Sequence, residues 1–140
     1  MRKRKARGQA GVPKAPMISG RESPTTIKRK IEAHFKALRL YWKQRGIEVD
    51  TTESEAQLIR LGAILRVQGT SGLGSIEGRA AGGFVQLPTR VFELRERGWE
   101  INSIREGAWG GDGLWHVGTV RYFLMKEPPS IERELLTSRP

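Results

Sequence analysis

The chain has 140 residues, 37% of them hydrophobic, no cysteine and a net charge of +10, which bounds it to one domain with appendages. The absence of cysteine excludes disulfides and thiolate zinc sites and fits a reducing cytoplasm. No apolar run is long enough to span a membrane, and none follows the basic start as a signal peptide requires.

Charge is distributed unevenly along the chain. Residues 1–45 hold 14 Lys/Arg against Glu22 and Glu32, a net +12, whereas residues 46–140 carry −2. Clustered cations release counterions from a phosphate backbone, so this layout points to nucleic acid as the partner. An anionic membrane surface is the lesser alternative.

Residues 1–22 lack hydrophobic periodicity. They mix a basic burst, Arg2, Lys3, Arg4, Lys5 and Arg7, with Gly8, Gly11, Pro13, Pro16 and Gly20. A segment that cannot bury apolar surface does not fold alone, so a flexible arm is predicted, with those five cations on phosphates. Residues 23–46 predict a basic amphipathic helix, capped by Ser23, with Pro24 in its first turn and Gly46 after its end. Ile27, Ile31, Phe35, Leu38 and Trp42 form one apolar stripe, and Lys28 and Arg29 on other faces are candidate phosphate contacts. The stripe must pack on the following domain or on a second copy, which would make a homodimer. His34, beside the stripe with no metal partner at suitable spacing, reads as a boundary residue.

Residues 50–125 hold the folded domain. A second helix is predicted from about Thr52 to Gln68, with Thr52 and Glu55 at capping-box spacing and Leu58, Leu61, Ile64 and Leu65 buried. Residues 69–83 contain six glycines, compatible with a short helix ending near Ala81. Gly72-Leu73-Gly74 lacks the strand and the Gly-Lys-Ser/Thr of a phosphate-cradling loop. A third helix at about Leu87–Arg97 turns Leu87, Val91 and Leu94 inward. Two strands are expected at Trp99–Arg105 and Leu114–Met125, with Val120, Tyr122 and Leu124 on one face. Between them Glu106–Gly113 reads as a glycine-rich hairpin loop carrying Trp109, which either stacks on a base or folds back over the hairpin. Arg121 is expected to be a solvated cross-strand partner, and residues 126–140 a loose tail.

Helix, short helix, helix, strand, loop, strand is the order of a winged helix-turn-helix domain, mainly α with a small β-hairpin. Residues 56–124 resemble the small winged-helix proteins encoded in bacteriophages and prophages. The carrying segments are Ala56–Leu65 (AQLIRLGAIL), Leu87–Ile101 (LPTRVFELRERGWEI) and Val120–Leu124 (VRYFL). The resemblance implies DNA binding in a regulatory or replicative role, and no enzyme. The third helix would then enter a groove, with Thr89, Arg90, Arg95 and Arg97 as contacts beside Trp109 of the loop. A helical wheel leaves Thr89, Phe92, Glu93 and Glu96 facing outward; two carboxylates there repel phosphate unless neutralised, as Glu93 would be by Arg97 at i, i+4.

Double-stranded DNA is therefore the expected partner, with RNA or a host protein as alternatives. His116 with Asp112, and Ser103 with Thr119, are close on paper, yet no nucleophile elbow, metal spacing or carboxylate pair accompanies them. Neither catalysis, a metal nor a cofactor is expected.

Overall fold

The first helix, α1 (Pro24–Lys43), starts as its sequence implies: the Ser23 hydroxyl accepts the Thr26 N–H at 3.2 Å. It was located in a computed structural model that describes residues 11–48 and 50–129. Ile27, Ile31, Leu38 and Trp42 are buried, and Phe35 lies half-buried at the edge of the stripe. The stripe is spent within the chain. Leu38 and Trp42 belong to the same cluster as Leu58, Leu94 and Tyr122, so the stripe packs on the chain's own domain. Polar ties follow it: the Trp42 indole donates to Gln68 Oε1 at 2.8 Å, and Arg39 donates to the Ala80 and Ala81 carbonyls at 3.1 and 3.0 Å.

Helix α2 (Ser54–Gln68) begins two residues later than expected, and the Thr52–Glu55 capping box does not form. Thr51 Oγ1 accepts the Glu53 N–H at 3.2 Å instead, and Glu55 turns away to Arg97. Leu58, Leu61, Ile64 and Leu65 are buried as predicted. At Gly62 the Trp99 indole lies so close that an added Cβ would sit 2.7 Å from the ring. Gly62→Ala, normally a helix-favouring change, should therefore destabilise the protein by about 1–3 kcal/mol through overpacking, seen as a lowered midpoint in thermal denaturation.

The glycine-rich segment resolves into three pieces: a 3₁₀ turn (Gly69–Ser71), strand β1 (Leu73–Gly74) and helix α3 (Ser75–Ala80). Helix α4 (Leu87–Glu96) follows with Leu87, Val91 and Leu94 inward, and Gly98 turns the chain at φ +95°. Strands β2 (Glu100–Trp109) and β3 (Trp115–Lys126) form an antiparallel hairpin that β1 extends in the order β1-β3-β2. Ile101, Ser103 and Arg105 pair with Leu124, Tyr122 and Val120; Ile101 and Tyr122 are buried, while Ser103 and Arg105 are exposed. The fold is the mainly helical one with a small sheet that the sequence implied, enlarged by one strand.

The hairpin loop is shorter than predicted. β2 runs on through Glu106–Trp109, and the turn is confined to residues 110–114, closed by Gly110 N–H to Leu114 O at 2.9 Å. A register shift between Glu106 and Ala108 accommodates Gly107, across which the Trp115 ring lies where a Cβ would collide.

Before α1, residues 11–19 form neither helix nor strand, but Val12 packs partly buried on the core and Lys30 Nζ donates to the Met17 carbonyl at 3.3 Å. Glu127, just past β3, is gripped by Arg66 at 2.8 and 3.0 Å. The basic burst Arg2, Lys3, Arg4, Lys5 and Arg7 and the end of the predicted tail lie outside the described residues.

Candidate nucleic-acid interface

Helix α4 presents Thr89, Phe92 and Glu96 to solvent, and Phe92 is 59% exposed. The three arginines proposed beside this face are all engaged within the chain, Arg95 and Arg97 by hydrogen bonds and Arg90 by an ion pair. Arg90 lies 3.2 Å from Glu93 at i, i+3, with its side chain only 12% exposed. Its Nε and Nη1 are buried without a hydrogen bond. Arg95 donates from Nε and Nη2 to the Ile101 carbonyl at 3.1 and 2.6 Å, tying α4 to β2. Arg97 makes a two-pronged pair with Glu55 at 3.2 and 3.1 Å, tying α4 to α2. The expected Glu93–Arg97 pair is thus replaced by Glu93–Arg90 and Glu55–Arg97. Thr89 Oγ1 donates to Gln86 Oε1 at 3.3 Å.

A second group of candidates gathers at the other end of the hairpin. The turn rests on the start of α1: a Cβ at Gly113 would meet the Pro24 carbonyl oxygen at 2.8 Å and Lys28 Cγ at 2.9 Å, and one at Gly111 would touch Phe35. Lys28 and Arg29 are both exposed, so α1 carries its positive charge to the hairpin tip. Trp109 folds back, edge-on to Trp115 with ring centroids 5.4 Å apart. Trp115 is 53% exposed on the sheet surface, whereas Trp99 is core. From Ile101, beside α4, to Trp109 the strand covers eight steps, about 26 Å, which separates the two groups.

Two residues behave differently from their sequence reading. His34 is buried, and its Nε2 lies 2.9 Å from Glu77 Oε2. Arg121 is not solvated: it donates to Glu106 at 3.2 and 3.0 Å, to Glu77 at 3.1 Å and to the Ser71 carbonyl at 3.0 Å. Glu77 Oε1 also accepts the Gly74 N–H at 2.9 Å. The chain His34–Glu77–Arg121–Glu106 therefore locks α1, α3 and the hairpin together. Each member looks isolated in sequence because its partner sits 15 to 44 residues away.

Burial opposes ionisation of Glu77, but the His34 hydrogen bond, the Arg121 charge and the Gly74 N–H outweigh it and hold the carboxyl at about 2, against an ordinary 4.5. Because the folded value is depressed, the contribution is present above about pH 4.5 and is lost as pH falls towards 2. The difference is worth about 3 kcal/mol. Denaturant midpoints should hold near neutral pH and drop across that window, and Glu77→Gln should lower the neutral-pH midpoint and flatten the drop.

Two further exposed cations were missed in the sequence: Arg79 in the last turn of α3 and Arg105 midway along β2. Nothing in a glycine-rich run or a strand end singles them out; their exposure beside α4 and on the hairpin does. At the turn, His116 Nε2 bonds the Asp112 carboxylate at 2.9 and 3.0 Å, and Thr119 Oγ1 donates to the Glu106 carbonyl at 2.7 Å. Among the described residues no cluster of three or more His, Asp or Glu is placed to hold a metal, and no helix is long and apolar enough to cross a membrane.

A family model described as a winged helix-turn-helix domain matches residues 56–127, just over half of the chain. Neither curated proteins nor solved structures give a match.

Proposed function

Because the chain belongs to the winged helix-turn-helix domain family, we propose that it binds double-stranded DNA, as a regulatory or accessory factor of a phage or prophage. In this reading α4 enters the major groove and the β2–β3 hairpin is the wing. The observation that carries it is the seat of the wing tip on α1, beside exposed Lys28 and Arg29. That contact joins the strongly basic first third of the chain to the part of the fold that lies along the duplex.

The division of labour follows from partners. Arg2, Lys3, Arg4, Lys5, Arg7, Lys28 and Arg29 supply phosphate contacts and most of the affinity. Arg95 and Arg97, already bonded to Ile101 and Glu55, orient α4. Arg90 reaches a base or phosphate by leaving Glu93, a geometry in which two of its nitrogens regain acceptors. Thr89 lies exposed on the same helix, and Trp109 supports the wing from within the Trp109–Trp115 pair.

Fluorescence anisotropy of full-length protein on labelled duplex, single-stranded DNA and RNA tests this. Duplex affinity should fall by roughly 10³–10⁵ between about 50 and 200 mM salt if six to ten phosphates are engaged. Absence of appreciable binding near 100 mM salt would sink the reading; preference for RNA would replace the partner. A host protein is the second reading, favoured by Val85 and Phe92, which stand 68% and 59% exposed on α4 and its leading turn with Glu96 nearby.

A further inference from the structure

Between α1, α3 and the outer side of the hairpin lies a cavity of about 220 Å³ that the DNA-binding reading leaves unused. Its walls are aromatic and aliphatic, with Phe35, Trp109 and Trp115 around Ile31 and Ile76, and the Ala15-Pro16 segment runs along one side. Trp115, half exposed, stands at its edge, in a pose possible only because residue 107 has no side chain.

The polar side chains at this cavity offer both acceptors and donors. The His34 side chain is 4% exposed and borders it. Its Nε2 lies 2.9 Å from Glu77 Oε2. Thr119 has given its proton to the Glu106 carbonyl, so its oxygen is left to accept. Glu106 takes Arg121 Nε on its carboxylate and keeps further lone pairs. Donors line it as well: Ser75 accepts from the Val120 N–H and keeps its proton to donate, and Arg121 and the indoles of Trp109 and Trp115 carry N–H groups. Glu77 and Glu106 outnumber Arg121 in formal charge, which disfavours an anion.

We infer that this cavity is a binding site for a flat, amino-bearing heteroaromatic molecule of nucleobase size, stacked on Trp115 and donating to the acceptors of Thr119 and Glu106. The volume supports that size. It exceeds the roughly 150 Å³ that admits benzene and falls short of the roughly 300 Å³ at which drug-sized pockets begin. The ligand would touch α1, the Ala15-Pro16 segment and the wing at once, so its binding would stiffen the junction between the basic N-terminal third and the hairpin. The inference does not rest on the DNA-binding reading, and its deciding measurement uses free adenine.

The test is isothermal titration calorimetry of full-length protein with adenine, with 6-dimethylaminopurine, and with a short oligo(dA). Adenine should bind with a Kd between about 10 μM and 1 mM, the range open to a ligand of its size. 6-Dimethylaminopurine, which lacks the amino donors, should bind at least tenfold more weakly. Trp115→Ala should weaken adenine at least tenfold with little change in the thermal midpoint, because the ring is half exposed. Thr119→Val gives the same test through the acceptor should Trp115→Ala fail to fold. Oligo(dA) that competes with adenine would assign the site to an unstacked base of a strand; oligo(dA) that does not compete would assign it to a free effector. No heat at millimolar adenine, or equal affinity in wild type and both variants, overturns the proposal.

Discussion

Trp42→Ala should cost about 3–5 kcal/mol, the largest single-residue loss in this protein. The indole is fully buried between α1 and the end of α2, and its N–H donates to Gln68, which in turn donates to the Gly72 carbonyl at 2.7 Å. Truncation both opens a cavity and orphans the Gln68 acceptor. Against a typical total of about 5–15 kcal/mol, that is a large fraction, and urea unfolding followed by far-ultraviolet circular dichroism should show a much lower midpoint. The same logic extends to a chain beginning at Thr51. Without Leu38, Trp42 and Ile47 it exposes the faces of α2 and α3 that α1 covers, and it should lose two-state unfolding. A truncated chain with an unchanged midpoint would show α1 to be an appendage rather than part of the core.

The second large effect concerns DNA affinity. Since removing α1 confounds binding with folding, the arm is better tested by replacing Arg2, Lys3, Arg4, Lys5 and Arg7 together with alanine in the full chain. Each phosphate contact contributes about 0.9 to the slope of log affinity against log salt. If all five engage, the slope should flatten by about 4.5, and the affinity lost between about 50 and 200 mM salt should shrink by roughly 500-fold. Relative preference among duplex sequences should not change, because phosphate contacts carry no base information. An unchanged slope with unchanged preference would remove the arm from the interface. Altered preference with an unchanged slope would give it a role in base readout.

The helices were legible in the sequence because each has a clear apolar period: Ile27, Ile31, Leu38 and Trp42 for α1, and Leu87, Val91 and Leu94 for α4. The hairpin was legible through its β-branched and aromatic runs. Two kinds of information were not. β1, two residues long, has no periodicity to detect and exists only because β3 offers Leu73 and Gly74 a partner edge at Tyr122 and Arg121. The ionic chain from His34 to Glu106 depends on which helix crosses which strand. A wheel drawn for one helix cannot show that Glu77, from a segment dominated by glycine, lies between a histidine of α1 and an arginine of β3. The pairing of the α4 arginines was misread for the same reason: the wheel offered Glu93 to Arg97, but α2 brought Glu55 closer.

The anchoring of Val12 on the core, and of Met17 by Lys30, sets a leash length for the residues before it. Ten residues span at most about 35 Å when fully extended, which is about ten base-pair steps at roughly 3.4 Å each. If the arm engages DNA as proposed, the basic burst can reach phosphates no more than about one turn of duplex from its root, and nearer ones would meet a high local concentration of cations. Lengthening the segment between Arg7 and Val12 with glycine–serine repeats should enlarge the nuclease-protected footprint on that side while diluting the arm's contribution to affinity.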